Sequence, residues 1–546
     1  MKNILLINPP VSIYLNKTAF APLPLLVLGT CLKKIRHEGH VFSHELLDLD
    51  LRCKQGALPD DASFYDLAVD LVMEKNPDIL FFTVHGPNHI IVLNLAERIK
   101  KRRKCLVIVG GVGPTLQAKE AMEKCAQIDI IVKGEGEPVL EHLVPAVLNG
   151  GDFAKVPSIV YREDGKVYET PRGYLDPKQP IPRPDYSLLR LAEYLHHNQT
   201  NPYIHPGFVL IESGRGCHYG CSFCAPAKMW ERKVRYRPIA EIIDEMKFLA
   251  AQGGNFSFFT QDNLDKHFLG ELSEALLKEN NKISWGCYSR LDQLPEENAQ
   301  LLADAGCSII FTGLETTDAD TQKKINKVIN TENVFDKLKA YNAYGIRFIG
   351  SFIGGFPDES ETELESTMLF ALECAAGCRF ADLSRHLERT RPEDLPQKAE
   401  NICVIHPLHY MPGTDSFESN RDSIRLSEHS FHPDCHGSYL FGYDQYKDDW
   451  SLLGTNPYLN HLPEEKVRYY CTMLRLFNFM NSRPYFFALL MNTLGMRPLK
   501  LLKSMVAHLG EKFVLSSTVP VFEAKVREYA GEHLEFVPQW TVKKGQ

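Results

Sequence analysis

Gly214-Arg215-Gly216-Cys217-His218-Tyr219-Gly220-Cys221-Ser222-Phe223-Cys224 sets three cysteines at the spacing Cys-x3-Cys-x2-Cys, directly after the apolar run Phe208 to Glu212. The run reads as a buried strand and the glycines as the loop that follows it. Three thiolates can hold three irons of a [4Fe–4S] cluster and leave the fourth iron open to a substrate. Glycine lets such a loop wrap a cluster and turn backbone amides toward its sulfurs. Competing readings are a zinc site that adds His218, a redox dithiol, or three structural cysteines. Adjacent Cys and His rarely both reach one tetrahedral ion, and a dithiol needs only two thiols.

Outward from this loop the chain alternates. Strands are expected at Phe208–Glu212, Asn255–Thr260, Ile283–Cys287, Ser308–Thr312, Arg347–Phe352 and Ile402–Leu408, with helices over 238–252, 266–279, 295–305, 332–344 and 360–377. Six such units predict a partial (β/α)6 barrel of TIM type. The first 150 residues alternate as well, with strands at Asn3–Ile7, Val41–Leu47, Ile79–Val84, Cys105–Val109 and Ile128–Val132. That pattern predicts a doubly wound, Rossmann-like parallel sheet with ligands at the carboxyl ends of its strands. The α/β chain is thus divided into 1–150, an ordered linker 151–207 with eight prolines, a barrel 208–415 and a mainly helical region 416–546.

Composition narrows the class. The chain has 546 residues, 44% hydrophobic and 24% charged, which excludes a disordered or fibrous protein. A net charge of -8 argues against a nucleic-acid coat. The longest apolar run, Tyr485 to Met496, is too short for an integral membrane segment. Met1 to Ile7, broken by Asn8-Pro9-Pro10, reads as a first strand rather than a signal peptide. Eleven of the fourteen cysteines are scattered and three are clustered, a usage that suits a reducing, cytoplasmic setting.

The cysteine motif, with Phe223 as its aromatic, resembles that of the radical-SAM superfamily. The resemblance implies that Cys217, Cys221 and Cys224 ligate the cluster, whose open iron chelates S-adenosylmethionine (SAM). Further segments fit in order. Gln261 and Asp262 end the second barrel strand, near the methionine amine; Asp262 also reads as a turn residue. Arg290, after the third strand, suits the SAM carboxylate. Glu315 lies in Gly313-Leu314-Glu315-Thr316, which is similar to the family's Gly-Leu-Glu-Ser, and would accept from ribose or the amine. Phe352 and Ile353 would pack on adenine, and Met411 belongs to the turn after the sixth strand. Taken singly, a lone Glu or Arg is more often a solvated surface charge.

A doubly wound domain before such a barrel resembles the cobalamin-binding domain of one large subgroup. The matching residues are Pro10, Leu23, Thr83, the loop Gly110, Gly111, Gly113 and Thr115, and Gly134, Glu135, Gly136 and Glu137. The last group, Lys133-Gly134-Glu135-Gly136-Glu137, stands where the family shows Arg-Gly-Glu-Gly-Glu. The motif Asp-x-His-x-x-Gly is absent, which would leave the lower cobalt face without a protein imidazole. His85 is either near that face or a structural histidine.

The resemblance implies an enzyme in which cobalamin takes a methyl group from one SAM. A second SAM yields a 5′-deoxyadenosyl radical that abstracts hydrogen from an unactivated carbon of a metabolite or peptide, and the carbon then takes the methyl. No catalytic residue beyond the cofactor sites is assigned. The alternatives are a cyclase or rearranging enzyme with the same cofactors, and a non-catalytic iron–sulfur redox or sensor protein. The expected partners are a small-molecule or peptide substrate and an electron donor such as flavodoxin or ferredoxin. The aromatic run Tyr439 to Trp450 reads as core or as binding wall. Cys287, Cys307, Cys403 and Cys435 either approach the active site or are plain buried thiols. Arg497, Lys500 and Lys503 lie on a solvated or lipid-facing helix.

Overall fold

The computed structural model describes residues 1–10, 18–59, 63–84, 88–173, 176, 178–199, 207–380, 401–408, 410–423, 467, 469–470, 473–474 and 498–509. His85, the aromatic run 439–450, Cys435 and Arg497 lie outside the described residues.

The first sheet is built from β1 (Lys2–Asn8), β2 (Phe42–Asp48), β3 (Ile79–Thr83), β4 (Leu106–Gly110), β5 (Ile130–Val132), β6 (Ile159–Glu163) and β7 (Lys166–Glu169). Their order is β2-β1-β3-β4-β5-β6-β7. Strands β1 to β5 pair in parallel, whereas β6 and β7 are antiparallel. Strand alternation explains the two apolar cores. Leu5, Ile7, Leu80, Phe82, Val107 and Val109 belong to one, and Ile4, Leu6, Ile79, Phe81 and Ile108 to the other. A sheet buried on both faces needs such unbroken apolar strands. The order reverses between β1 and β3, so the crevice at their carboxyl ends is the expected ligand position.

The stretch 151–207, read as a linker with short strands at Ser158–Arg162 and Lys166–Glu169, therefore extends this sheet by β6 and the edge strand β7. A helix that the sequence reading did not set out, Gly136–Asn149, follows β5; Pro145 inside it interrupts the usual signal. Val41 is 71% exposed and β2 begins one residue later, at Phe42.

The barrel strands are β8 (Phe208–Ile211), β11 (Phe256–Phe259), β12 (Ser284–Tyr288), β13 (Cys307–Glu315), β14 (Arg347–Gly354) and β15 (Ile402–Pro407), alternating with helices. A small ribbon pairs β9 (Gly214–Arg215) with β10 (Arg235–Tyr236). The chain divides into two compact units. One is Met1–Leu264 with Glu271–Tyr288 and His409–Tyr458, and the other is Asp265–Gly270 with Ser289–Leu408 and Leu459–Gln546. In the first, β8, β11 and β12 pair in parallel; in the second, β13, β14 and β15 do so.

Local signals set the helix ends. Helix Glu361–Ala376 starts with a Ser360/Glu363 capping box and stops at Gly377 in the left-handed region. The expected helix 295–305 is a short 3-10 turn, Glu296–Asn298, running into helix Ala299–Asp304. Among the described residues no helix is long and apolar enough to cross a membrane. Lys503 of helix Pro498–Leu509 pairs with Glu365 at 2.5 Å.

Asp48 ends β2 and is buried. Its carboxylate accepts from Asn8 Nδ2 (3.0 Å), the Leu51 amide (2.9 Å) and the Tyr194 hydroxyl (2.5 Å). Burial, with Asp50 alongside, still pushes its carboxyl up to about 6. The folded chain therefore holds this proton more tightly than the unfolded chain does. The contribution to stability is full below pH ~4 and is lost as pH rises through about 6. Asp48→Asn should flatten the pH dependence of the denaturant midpoint between those values, by at most about 3 kcal/mol.

Candidate active site

The cysteine loop is closed at its base by glycine. Gly216 has φ +89°, and a Cβ there would lie 1.9 Å from the Lys233 carbonyl oxygen. A Cβ on Gly214 would lie 2.4 Å from Gln261 Oε1. No other residue allows this backbone to approach so closely. The loop leaves through β9 and returns through β10, so Cys217, Cys221 and Cys224 are carried on one excursion. None of the three is in a disulfide, and all are partly exposed. Burial pushes the Cys224 thiol up to about 12, so the thiolate there needs a cation to stabilise it.

Gln261 and Asp262, just past β11, hold the loop's hinge. Gln261 is fully buried, and its Nε2 donates to the Gly216 carbonyl at 2.5 Å. Asp262 Oδ2 accepts the Gly216 amide at 3.0 Å. Both backbone polar groups of Gly216 are thus held by consecutive side chains. Burial raises the Asp262 carboxyl to about 6, against the lowering effect of the Gly216 amide and the Trp230 side chain. Gln261 Oε1 is buried and has no partner among the described residues.

The turn carrying Met411 belongs to the same unit. Thr414 returns its hydroxyl to the Met411 carbonyl at 2.7 Å. The Ser416 amide donates to the Ser222 carbonyl at 2.9 Å, beside Phe223. The two serine hydroxyls are 2.8 Å apart.

At the carboxyl edge of the first sheet, Pro10 follows β1, Thr83 ends β3, Gly110 ends β4, and Gly134 to Glu137 follow β5. Leu23 is the first residue of helix Leu23–His37. Gly111 has φ +118°, and a Cβ there would sit 2.2 Å from the Val84 carbonyl oxygen. Gly113 lies in the short helix Val112–Leu116 that follows. Thr115 ties the two glycine segments together: its hydroxyl donates to the Gly111 carbonyl (2.6 Å) and accepts the Gly134 amide (3.0 Å). Gly136 opens helix Gly136–Asn149, close against Leu28.

Glu135 and Glu137 face a different set of partners from those the sequence suggested. Arg215 Nη1 meets Glu135 at 2.9 Å and Nη2 meets Glu137 at 2.6 Å, while Nε meets Glu212 at 2.8 Å. Arg235 also pairs with Glu135. Sequence reasoning quoted Arg215 without a role and missed Arg235. The usable signal was a charge set inside a glycine-rich, close-packed turn, where only a paired ion is tolerated.

In the second unit, Glu315 sits in the left-handed region at φ +57°, where β13 and β14 shift register. Its carboxylate meets Lys327 Nζ at 2.5 Å, and both side chains are buried. Sequence reasoning missed Lys327, which lies 12 residues beyond Glu315 with no local pattern to join the two. Gln322 supports the pair: its amide donates to the Thr316 carbonyl and its oxygen accepts the Ile329 amide. Arg290 forms a two-point pair with Asp292, at 2.9 Å on each arm. Phe352 is fully buried, and its ring meets Phe370 edge-on at 6.2 Å. Ile353 is half-buried on β14. Cys287, Cys307 and Cys403 are buried.

Among the described residues no group of His, Cys, Asp or Glu is arranged about a single metal ion. A four-iron cluster takes each thiolate on a different iron, so its ligands stand apart. The three thiols, the glycine-closed loop and the orphaned Gln261 oxygen are compatible with such a cluster and a polar ligand beside it.

Residues 211–371 match the Radical SAM superfamily and residues 22–144 the B12 binding domain. The chain is 28% identical over 373 residues to an uncharacterized methyltransferase of Pyrococcus horikoshii, covering 67% of this chain and 77% of that protein. It is 27% identical over 366 residues to an anaerobic magnesium-protoporphyrin IX monomethyl ester cyclase of Synechocystis sp., covering 65% and 69%. The structure of the radical SAM methyltransferase TsrM from Kitasatospora setae, with cobalamin and a [4Fe-4S] cluster bound, superposes with a TM-score of 0.57. It covers 78% of this chain and 80% of that one at 20% identity, which shows a shared fold.

Two outcomes follow from this geometry. Changing any one of Cys217, Cys221 and Cys224 to Ala should leave only a small fraction of the wild-type iron after anaerobic reconstitution, read by iron assay and visible absorbance. Lys327→Met strands a buried carboxylate and should lower stability by about 3–5 kcal/mol, read from the denaturant midpoint.

Proposed function

The chain joins a B12-binding domain to a radical-SAM domain, and from that premise we propose that it transfers a methyl group from SAM to an unactivated carbon of a metabolite or peptide. The observation that carries this reading is the glycine-closed loop with three cysteines outside any disulfide, preceded by a sheet whose carboxyl edge presents two glycine segments. When bound, the cluster with SAM would supply a 5′-deoxyadenosyl radical and cobalamin a methyl group for transfer.

The residues divide the work. Cys217, Cys221 and Cys224 hold the cluster, and Gln261 and Asp262 fix the peptide that leads into it. Glu315, kept in place by Lys327, offers a carboxylate to SAM. Arg290, Phe223, Phe352, Ile353 and Met411 complete the SAM assignment, the first by charge and the rest by apolar contact. Gly110, Gly111, Gly113 and Gly134 let a flat macrocycle or its nucleotide tail reach the backbone. Fixing the reacting groups and excluding water is the protein's share of the rate. We assign the chain to the cytoplasm, a reducing setting that suits described cysteines outside any disulfide. Electrons would come from a carrier such as flavodoxin or ferredoxin.

The test is anaerobic. Protein reconstituted with iron, sulfide and hydroxocobalamin is reduced and given SAM, and S-adenosylhomocysteine and 5′-deoxyadenosine are measured together. Methyl transfer predicts both products, the first only when cobalamin is present, and neither in Cys217→Ala. 5′-Deoxyadenosine alone would move the assignment to a cyclase, the activity named for the Synechocystis relative. Neither product, with the cluster intact, would leave a redox or sensor protein.

A further inference from the structure

Arg215 stands two residues before Cys217, and its guanidinium is only 8% exposed. Four of its donor contacts reach carboxylates: Nε and Nη2 to Glu212 (2.8 and 3.0 Å), Nη1 to Glu135 (2.9 Å) and Nη2 to Glu137 (2.6 Å). Glu135 is shared with Arg235, whose other arm reaches the Gln179 carbonyl at 2.9 Å. Arg215 also lies over the Trp230 ring, 5.9 Å from its centroid. The Trp230 side chain bonds Asp262, and Asp262 holds the Gly216 amide. One continuous set of contacts therefore runs from the glycine segment after β5 to the residue before the first cysteine.

Two properties separate this from an ordinary surface ion pair. The carboxylates of Glu135 and Glu137 are 4% and 10% exposed, so each needs a partner to stay ionised there. The planar guanidinium fork matches several carboxylate oxygens at once, which a lysine cannot do. Three carboxylates against two guanidiniums also leave one negative charge next to the cysteine loop, and charge near a cluster tunes its potential.

We propose that Glu135 and Glu137 are positioning residues for the cysteine loop, acting through Arg215, rather than contacts to cobalamin. The proposal rests on the radical-SAM reading above. It separates the acidic residues of the segment from its glycines: Gly134 and Gly136 serve close backbone approach, while the two glutamates serve the neighbouring loop.

The experiment compares Glu137→Gln and Arg215→Lys, singly and together, with wild type. Cobalamin affinity is read by absorbance titration of the protein before iron is added. The cluster is read by its midpoint potential and by its electron paramagnetic resonance signal with and without SAM. Positioning predicts cobalamin affinity within about twofold of wild type in every variant. It predicts a raised cluster potential in E137Q, which removes a negative charge, and an altered SAM-dependent signal in R215K. The double variant should be no worse than the worse single, because both break one chain of contacts. A fall of about tenfold in cobalamin affinity in E137Q, with R215K unaffected, would overturn the proposal. So would cluster signals unchanged in all three. If E137Q does not fold, Glu137→Asp keeps the charge and shortens the reach. A changed cluster signal with cobalamin binding kept supports positioning, and the reverse overturns it. If the wild type assembled no cluster, the proposed function would fail first, and the cobalamin measurement alone would still judge Glu137.

Discussion

A guanidinium buried as deeply as Arg215 must be met by carboxylates, and that demand organises the first compact unit. The three acids it meets come from the end of β8 and from the glycine segment after β5. Meeting it fixes the start of the cysteine loop relative to the first sheet. The same unit pins the next peptide from the other side, through Gln261 and Asp262 on Gly216. The left-handed backbone at Gly216 is open to glycine alone, and Gln261 Nε2 and Asp262 Oδ2 hold it in place. Hydrophobic burial along β1, β3 and β4 supplies the bulk of the stability, but it is not directional. Placement to within a bond length comes from these charge-assisted hydrogen bonds.

The second unit solves a similar problem by different means. Glu315 adopts a backbone conformation that a long side chain rarely takes, at the register shift of β13. Backbone strain of this kind persists where the surroundings over-determine it, and it gathers at functional sites. Lys327 balances the buried charge, and Gln322 braces the segments on either side of the pair. The carboxylate is thereby held at the end of a barrel strand, where such folds keep their chemistry.

The regular elements were legible because their signals are local. Four successive buried residues in β1 and the Ser360/Glu363 box need no distant partner to be recognised. The cysteine motif was legible for the same reason: spacing and glycine content are properties of eleven consecutive residues. What was not legible was pairing at a distance. Glu135 meets Arg215 across 80 residues and Arg235 across 100, so nothing in the local pattern joins them. The short motif around Glu135 pointed to a ligand, whereas its buried partners were arginines. Lys327 meets Glu315 across 12 residues, again with no local pattern to join them. The strands β6 and β7 were legible, but the prolines around them set them apart from the first sheet, whose free edge at β5 they join.

The turn at Met411–Ser416 carries one further consequence. Ser416 reaches back 194 residues to Ser222, Asp415 pairs with Lys228, and Gly413 at φ +81° packs against Leu116. This late segment is thus a clasp on structures made from the first half of the chain. During synthesis the cysteine loop would emerge long before its clasp does. Until the chain has been extended past Ser416, none of these contacts can form, and the loop lacks its clasp.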